Sequence, residues 1–386
     1  ISGTNREGTE FVGSTYYAQG EGASRVAASL DQYLRAGGDP KYDLSDQQRY
    51  PKPAAHLYWR LENVVGGRDF LRIGDVCGPD KGPGHTLRDL EFARSGWRWT
   101  RDPKFAFLLR NCLTRGQETD AEWSEIEAAA ARQARAPWLD NRSRVLPTWA
   151  GILESGVEHD DYRFRRAAYV RVGYGIGHEH QDSLDLQVVA QGLPMTIDGG
   201  QRRGYTIPTD SASFVHNTVL VDGAAAYRHS WVSALADQAG ARYLAAEAVP
   251  PAGVQLLRRQ VALVDVDEGQ GSQPLSVAQQ MLDAELPKTV TPANSYVFDV
   301  FRTGGGRQLT YAFHGPLNDE FAWTATNVKP GAQAAAEEAE LLAKFRLMPD
   351  LNLAGDAPAT FEATWRLALD VDGPGQGERE MAGKNF

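Results

Sequence analysis

Two histidines separated by one residue, His178 and His180, are the side chains of this chain whose type and spacing most directly suggest chemistry. Residues two apart in an extended strand point to the same face of a sheet. If the segment stays extended, both imidazoles lie with Leu184, Leu186 and Val188 on the face expected to be buried. A buried imidazole needs a partner, because an unsatisfied buried polar group costs about 1–3 kcal/mol. A metal ion would be such a partner.

Two later residues could complete a metal site. Asp198 stands in the run Thr-Ile-Asp-Gly-Gly, and His216 stands in Phe-Val-His-Asn-Thr. With His180 they offer two imidazole nitrogens and one carboxylate oxygen, a set that suits Zn²⁺ better than Mn²⁺ or Fe²⁺. The alternative interpretation is that hydrogen bonds or solvent satisfy these histidines without any metal.

The elements that must position these side chains change in character along the chain. In the N-terminal part, apolar residues recur at helical spacing, and breakers rich in glycine and proline separate the segments. The predicted helices cover residues 14–34, 54–65, 87–112 and 120–135.

After residue 161 the pattern becomes an alternation of period two with many β-branched residues. Strands at this spacing without intervening helices favour an antiparallel β-sandwich. The predicted strands cover residues 168–174, 183–190, 214–221, 260–266, 296–301 and 308–313. We therefore expect an α+β chain with a helical domain over 1–145, a sheet domain over 146–372 and a polar tail over 373–386.

Charge and hydropathy exclude some classes of partner. The 386 residues carry 40 basic and 50 acidic side chains, a formal net charge of −10, and no run of basic residues. This balance argues against a dedicated nucleic-acid surface or anionic-membrane surface. No apolar stretch is long enough to span a bilayer, and no leader typical of a signal peptide opens the chain.

The residues around the histidines resemble the sheet domain of heparinase II/III-like polysaccharide lyases. Four ordered matches extend over about half of the chain, which makes the resemblance more specific than a lone His-x-His. The matching segments are residues 174–186 with 192–194 and 197–200, 216–223, 296–302 and 313–315.

A weaker match lies near the N-terminus. Residues 6–17 are similar to the family segment D-G-S-H-F-E-x-S-P-M-Y, which ends on its catalytic tyrosine, so Tyr17 takes that place. Val12 stands where the family has Glu, and Thr15 where it has Pro. Tyr16 therefore remains a competitor for the role.

The resemblance implies an α/α toroid followed by an antiparallel β-sandwich, with the active cleft between them. It places His180, Asp198 and His216 on the family's zinc ligands and His178 on its active-site histidine. Tyr205 falls where a substrate-contacting tyrosine is often found. Several toroid helices of the family lack a counterpart here, so the toroid is partial, reduced, or completed by a complementary N-terminal helical segment.

The implied reaction is β-elimination on a uronic-acid polysaccharide, either alginate-like or a glycosaminoglycan. Tyr17 is the candidate general acid and His178 the candidate base, while a mainly structural zinc holds the loops and orients His178 or Tyr205. Guanidinium groups pair with carboxylate or sulfate, and the candidates for binding the anionic substrate are Arg6, Arg25 and Arg202. A polymer substrate implies a periplasmic or secreted protein.

Two other functions stay open at the level of sequence. The first is a non-catalytic carbohydrate-binding protein that keeps a lyase scaffold with an incomplete helical cleft. The second is a cupin-like metalloenzyme, because the His-x-His strand resembles the first cupin motif and His216-Asn217 could correspond to the second. Against the cupin interpretation, Asp185 stands where that family has Glu.

Overall fold

The structure, a computed structural model, describes twelve segments of the chain: residues 22–74, 90–112, 115–116, 118–173, 180–196, 212–223, 229–281, 290–315, 320–326, 328–330, 351–353 and 360–366. The chain divides into two compact units. The first comprises Ile1–His314 with Val371–Phe386, and the second is Gly315–Asp370. The predicted polar tail over 373–386 lies outside the described residues.

The helices of the described residues belong to the first unit. They are α1 (Gly22–Arg35), α2 (Pro51–Glu62), α3 (Leu90–Thr100), α4 (Pro103–Cys112), α5 (Asp120–Ala130) and the short α6 (Val277–Met281). Helix α3 packs on α1, α2 and α4, and α4 packs on α5. In the described part of the chain, no helix is both long enough and apolar enough to cross a membrane.

The ends of two helices follow from local chemistry. The prediction of one helix over 87–112 was wrong, because Arg101 takes a left-handed conformation (φ 52°) and Pro103 opens a new helix. Helix α5 begins with a capping box, in which Thr119 Oγ1 accepts from the backbone N–H of Glu122 at 3.2 Å. Glu122 Oε2 in turn accepts from the backbone N–H of Thr119 at 2.9 Å.

Two antiparallel sheets form most of the strand structure in the first unit. The first has the order β3-β4-β5-β6-β7, and the second has the order β12-β11-β10-β9. The strands of the first are β3 (Arg144–Leu146), β4 (Ala150–Ser155), β5 (Arg166–Arg171), β6 (Leu186–Ala190) and β7 (Leu193–Pro194). Those of the second are β9 (Ser230–Gln238), β10 (Ala241–Ala248), β11 (Val254–Asp267) and β12 (Asn294–Gly305).

The remaining strands form short antiparallel pairs. In the first unit these are β1 (Val64–Val65) with β2 (Asp69–Phe70), and β8 (Val219–Val221) with β13 (Leu309–Tyr311). In the second unit they are β14 (Glu320–Thr326) with β17 (Thr360–Arg366), and β15 (Val328–Pro330) with β16 (Leu351–Leu353).

The two larger sheets share one apolar core, and the helices share another with the first sheet. Val170 and Leu186 of the first sheet are buried with Leu244 and Leu263 of the second. The helical core includes the edge-to-face pair of Trp59 and Trp149, whose ring centres lie 5.1 Å apart. The protein is thus a mixed chain with antiparallel sheets, and an α/α toroid is not shown by the helices of the described residues.

Three details of strand prediction are corrected. Strands β9 and β10 were not predicted, because runs such as Ala241–Ala248 are rich in alanine. The strand expected over 214–221 is limited to β8, since Ser213–Val215 forms a single 3₁₀ turn. The strand expected over 183–190 begins only at Leu186, because Leu184 is left-handed (φ 61°), so the continuous extension assumed for the histidine segment does not hold.

Candidate functional site

The structure brings His180 and His216 together in the interior of the first unit. Their ring centres lie 5.3 Å apart with an interplanar angle of 45°. His180 is 7% exposed and His216 is fully buried. The two residues come from segments far apart in sequence, one preceding β6 and one preceding β8.

Asp182 fixes the segment that carries His180. Its Oδ1 lies 3.5 Å from Nε of Arg171, the last residue of β5. Both side chains are buried, with 5% of Asp182 and 4% of Arg171 exposed. Its Oδ2 accepts a hydrogen bond from the backbone N–H of Gly74 at 3.3 Å. Arg171 also donates from Nη1 to the carbonyl oxygen of Trp149 at 3.0 Å. The residue two positions after His180 is therefore tied both to β5 and to the chain that follows β2.

Asp185 and Asn217 fix the segment that carries His216. Asp185 Oδ1 accepts from the backbone N–H of Asn217 at 2.5 Å, and its Oδ2 accepts from Gln187 Nε2 at 2.6 Å. The carbonyl oxygen of Asn217 accepts from the backbone N–H of Leu186 at 3.1 Å. Because Asn217 directly follows His216, these bonds set the position of the histidine backbone.

A buried ion pair supports both segments from the second sheet. Arg259 is fully buried and donates through Nε and Nη2 to the two carboxylate oxygens of Asp299, at 2.8 and 2.6 Å. Its Nη1 donates to the carbonyl oxygens of Leu184, at 2.6 Å, and Asn217. Burial alone would lower the pKa of Arg259, but the hydrogen bonds and charge of Asp299 raise it above its ordinary value. The guanidinium therefore stays charged, and its hydrogen bonds connect the segment of Leu184 to the segment of Asn217.

Tyr311 completes this network at the surface. Its hydroxyl donates to Asp299 Oδ2 at 3.0 Å and accepts from Arg259 Nη2 at 3.3 Å. Burial of the hydroxyl and the charge of Asp299 raise the pKa of Tyr311 well above its ordinary range, although Arg259 opposes the shift. The phenol is therefore a neutral hydrogen-bonding group at physiological pH.

Imidazole nitrogens are common zinc ligands, so the chemistry of the two side chains suits this ion. A tetrahedral Zn²⁺ with bonds of about 2.0–2.1 Å to two imidazole nitrogens holds the ring centres roughly 5 Å apart. The separation of 5.3 Å between His180 and His216 agrees with that geometry. Within the described segments, no group of three or more His, Cys, Asp or Glu residues is arranged to hold a metal. The third predicted ligand, Asp198, lies outside these segments.

Most other predicted site residues also lie outside the described part of the chain. These are Tyr17, His178 and Tyr205 of the catalytic set and Arg6 and Arg202 of the substrate-binding set. Arg25 lies in helix α1, where only the backbone course is described. The structure thus brings together His180 and His216, and the roles of the other residues stay predictions.

The sequence interpretation missed the residues that hold the two histidines in place. Arg259 was not singled out, and Asn217 and Asp299 were noted only as parts of longer motifs, yet one signal was present. The alternation Leu257, Arg259, Val261 puts an arginine among the buried positions of a strand, and a buried charge requires a partner.

Comparison with known proteins gives a remote likeness. No protein-family model matches the chain, and no curated protein does. Heparan sulfate lyase HepC from Pedobacter heparinus is similar at 10% identity and a TM-score of 0.45, over 84% of this chain and 55% of that one. A heparinase III gene product is 10% identical with a TM-score of 0.45, over 94% of this chain and 59% of that one. A further heparinase III is 7% identical with a TM-score of 0.42, over 94% of this chain and 61% of that one. The chain therefore spans between 55% and 61% of the length of these solved structures.

Proposed function

We propose that this protein is a polysaccharide lyase that cleaves a uronic-acid-containing polysaccharide by β-elimination. The observation that carries the proposal is the buried pair His180 and His216. The sequence resemblance names these two residues as ligands of one ion, and they meet although 36 positions separate them in the sequence. A chance resemblance would give no reason for the two imidazoles to converge.

The proposed reaction breaks two bonds and forms a double bond. A base removes the proton at C5 of the uronate, which lies next to the carboxylate, and the C4–O bond breaks as a C4–C5 double bond forms. An acid protonates the departing sugar oxygen. Stabilisation of the charge on the carboxylate is the largest contribution expected, and each positioned acid or base adds about 10²–10⁴-fold.

The resemblance to the family segments assigns a role to each candidate residue. His178 is the base and Tyr17 the general acid, with Tyr205 in contact with substrate. Zinc held by His180, Asp198 and His216 supplies a structural cross-link between loops. Since Asp182 and Asn217 already fix the two histidine backbones, the ion would find its two imidazole ligands preorganised.

The substrate is an anionic polysaccharide or oligosaccharide, alginate-like or a glycosaminoglycan. Arg6, Arg25 and Arg202 are the proposed partners of its carboxylate or sulfate groups. We further propose a partial toroid joined to a β-sandwich, and a periplasmic or secreted location that gives access to such polymers.

The test is a panel of alginate, heparan sulfate, chondroitin sulfate, hyaluronan and glucuronan, with ultraviolet absorbance of the unsaturated uronate as the readout. We expect absorbance to rise on one class and to be lost in His178→Ala and Tyr17→Phe. His159→Ala serves as the control that keeps the activity, and Tyr16→Phe decides between the two tyrosines, because a loss in Tyr16→Phe with full activity in Tyr17→Phe would assign the acid role to Tyr16. A flat trace for folded wild-type protein on every polymer would refute the lyase proposal.

A further inference from the structure

One face of the second sheet, turned away from the apolar core, carries exposed aromatic rings. Residues directly opposite each other in an antiparallel pair share a face, so the register of the strands shows which side chains lie there. Those of β11 are Arg258, Gln260, Ala262 and Val264. Their partners on β12 are, in the same order, Arg302, Val300, Phe298 and Tyr296. Their partners on β10 are Glu247, Ala245, Tyr243 and Ala241. These residues and their neighbours on β9 form the outer face.

Two aromatic rings stand in a row along β12, beside a floor of small side chains. Tyr296 is 62% exposed and Phe298 is 59% exposed. Their ring centres lie 6.2 Å apart, a distance comparable to the length of one sugar in a polysaccharide, and their planes are tilted by 56°. The alanines of the outer face on the neighbouring strands are Ala262, Ala245, Ala241, Ala236 and Ala234. The rings therefore project above a shallow surface that accommodates an extended chain.

The aromatic character continues across the sheet. Trp231 of β9 lies opposite Glu247 and is 46% exposed. Tyr243 lies between the two edges of the sheet, where its hydroxyl accepts from Gln260 Nε2 at 2.5 Å. Flat aromatic surfaces with a few placed polar groups are typical of ligand sites, and an exposed apolar patch on this scale marks a surface that binds something.

Arg302 gives the outer face an excess of positive charge. Its partner across the strands is another arginine, Arg258, whose Nη2 lies 2.6 Å from Glu247 Oε1. Within the described segments, no carboxylate forms an ion pair with the exposed side chain of Arg302. Two guanidinium groups thus share one carboxylate, in a protein whose overall charge is −10. A carboxylate or sulfate group is the ligand chemistry that complements this position.

We infer that the outer face is a second, non-catalytic binding surface for an anionic polysaccharide, on which Tyr296 and Phe298 stack against sugar rings and Arg302 pairs with a carboxylate or sulfate group. The inference rests on the proposed function for the class of ligand. Arg259, on the opposite face of β11, supports the two histidine segments, so the outer face is separate from the histidine site. One long polymer that contacts both surfaces is held at a high effective concentration, which a short oligosaccharide does not achieve.

Substitutions that keep apolar volume but remove the flat ring test the stacking. We expect Tyr296→Leu and Phe298→Leu each to weaken polymer binding about 5-fold, the loss typical of one aromatic stacking contact. Phe298→Tyr keeps a ring and should bind as the wild type does. Arg302→Gln should lose about 3-fold at low salt and less at high salt, because salt screens exposed charges.

The probes are alginate, heparan sulfate, chondroitin sulfate, hyaluronan and glucuronan, each immobilised by one end for biolayer interferometry. All variants are made in the His178→Ala background, so that the proposed turnover does not shorten the polymer during the measurement. Thermal unfolding verifies the fold of each variant. Arg132→Gln is the matched control for Arg302→Gln, because Arg132 is an exposed arginine that follows helix α5, and it should keep the affinity of the parent.

Several results would contradict the inference. Parental affinity in both leucine variants, equal losses in Phe298→Leu and Phe298→Tyr, equal losses in Arg302→Gln and Arg132→Gln, or no binding of any of the five polymers would each overturn it. Weaker binding in the leucine variants, with no unsaturated product from the wild type on any polymer, would refute the lyase proposal and leave the inference standing.

A second copy of the chain is the other occupant that an apolar face of this kind could take. Sedimentation velocity without any polymer tests it, because aspartate at position 298 would disrupt an apolar contact between two copies. We expect the same sedimentation coefficient for the wild type and Phe298→Asp. A larger wild-type particle that Phe298→Asp dissociates would assign the outer face to a second copy and overturn the inference.

Discussion

Arg258 and Arg259 show how one position along a strand changes the energetics of an arginine. Side chains alternate between the faces of β11, so Arg259 points into the core and Arg258 points outward. Arg259 is fully buried against Asp299, whereas Arg258 pairs at 2.6 Å with Glu247 while 38% of its side chain stays exposed. A buried charge that loses its partner costs far more than a partly exposed one.

This contrast leads to a prediction about stability. Asp299→Asn should lower the free energy of unfolding by about 3–5 kcal/mol, because it leaves the Arg259 guanidinium uncompensated in the interior. Glu247→Gln, the matched change in the partly exposed pair, should cost less than about 1 kcal/mol. Urea unfolding of the two variants and the wild type measures both values. Similar losses in the two variants would contradict the assigned difference between the pairs.

Asp265 gives a prediction about pH. Burial alone would raise its pKa, but hydrogen bonds from Ser155 and Arg242, with the positive charges of Arg242 and Arg166, hold the pKa below its ordinary value. A carboxylate with a lowered folded-state pKa stabilises the protein above its unfolded pKa of about 3.9, and that stability is lost as the pH falls through the folded pKa.

Asp265→Asn should therefore destabilise the protein at neutral pH, and its difference from the wild type should shrink as the pH falls below about 4. Urea midpoints measured over a pH series test this. Asp267→Asn, on the same strand at an exposed position, is the control and should change little at any pH. A difference for Asp265→Asn that does not vary with pH would show that the ionised carboxylate is not the stabilising form.

The sequence drew attention to the two histidines that the structure brings together, but not to the residues that support them. His180 and His216 are chemically distinctive, and their spacing matched a known order of motifs. Arg259 and Asp299 belong to types that are mostly exposed, so only their place in the alternation of β11 and β12 marks them. Their pairing is a contact between strands, which the sequence of either strand does not reveal.

At the level of elements, periodicity predicted β11 and β12 but missed β10. Strands β11 and β12 have alternating burial and contain the predicted segments 260–266 and 296–301. Strand β10 contains four alanines within Ala241–Ala248, a composition that favours helices. It is a strand because β9 and β11 pair with it on both sides, and this tertiary context overrides the local propensity.

Gly173 and Gly240 allow two costs of replacing a glycine, backbone strain and steric overlap, to be compared. Gly173 (φ 88°) follows β5, and a Cβ there would overlap the backbone of Thr148. Gly240 (φ 78°) joins β9 to β10, where a Cβ would meet open space. The backbone N–H of Gly173 also donates to the carbonyl of Ser230 at 2.7 Å, so the residue joins the two larger sheets.

Gly240→Ala should therefore cost about 1–2 kcal/mol, the strain of a left-handed alanine alone. Gly173→Ala should cost clearly more, because the backbone of Thr148 must also move and the bond to Ser230 is disturbed. Urea unfolding of the two variants gives the comparison. An equal cost at the two glycines would mean that the backbone near Thr148 can yield freely.

At the level of the whole molecule, the two apolar cores of the first unit lie on either side of the first sheet, an arrangement that composition could not reveal. The apolar core of the helices reaches the first sheet through Trp59 and Trp149, and Trp149 Nε1 donates to Asn63 Oδ1 at 3.0 Å. The bond from Gly74 to Asp182 makes a second connection, close to His180. Disturbance at the histidine site should consequently reach the helices as well as the sheets.

Removal of the proposed zinc tests this connection. An ion that binds only the folded state stabilises it by mass action, so dialysis against a chelator should lower the melting temperature of the wild type by about 5 °C, and added zinc should restore it. His216→Ala and His180→Ala should bind no zinc and should not respond to its addition, whereas His159→Ala should behave as the wild type does. Metal analysis measures the zinc content. Circular dichroism of the helices and tryptophan fluorescence monitor thermal unfolding. A wild-type protein that carries no metal, and whose melting temperature neither the chelator nor zinc changes, would refute the zinc site. The contacts of Asp182, Asp185 and Asn217 would then position the paired histidines without an ion.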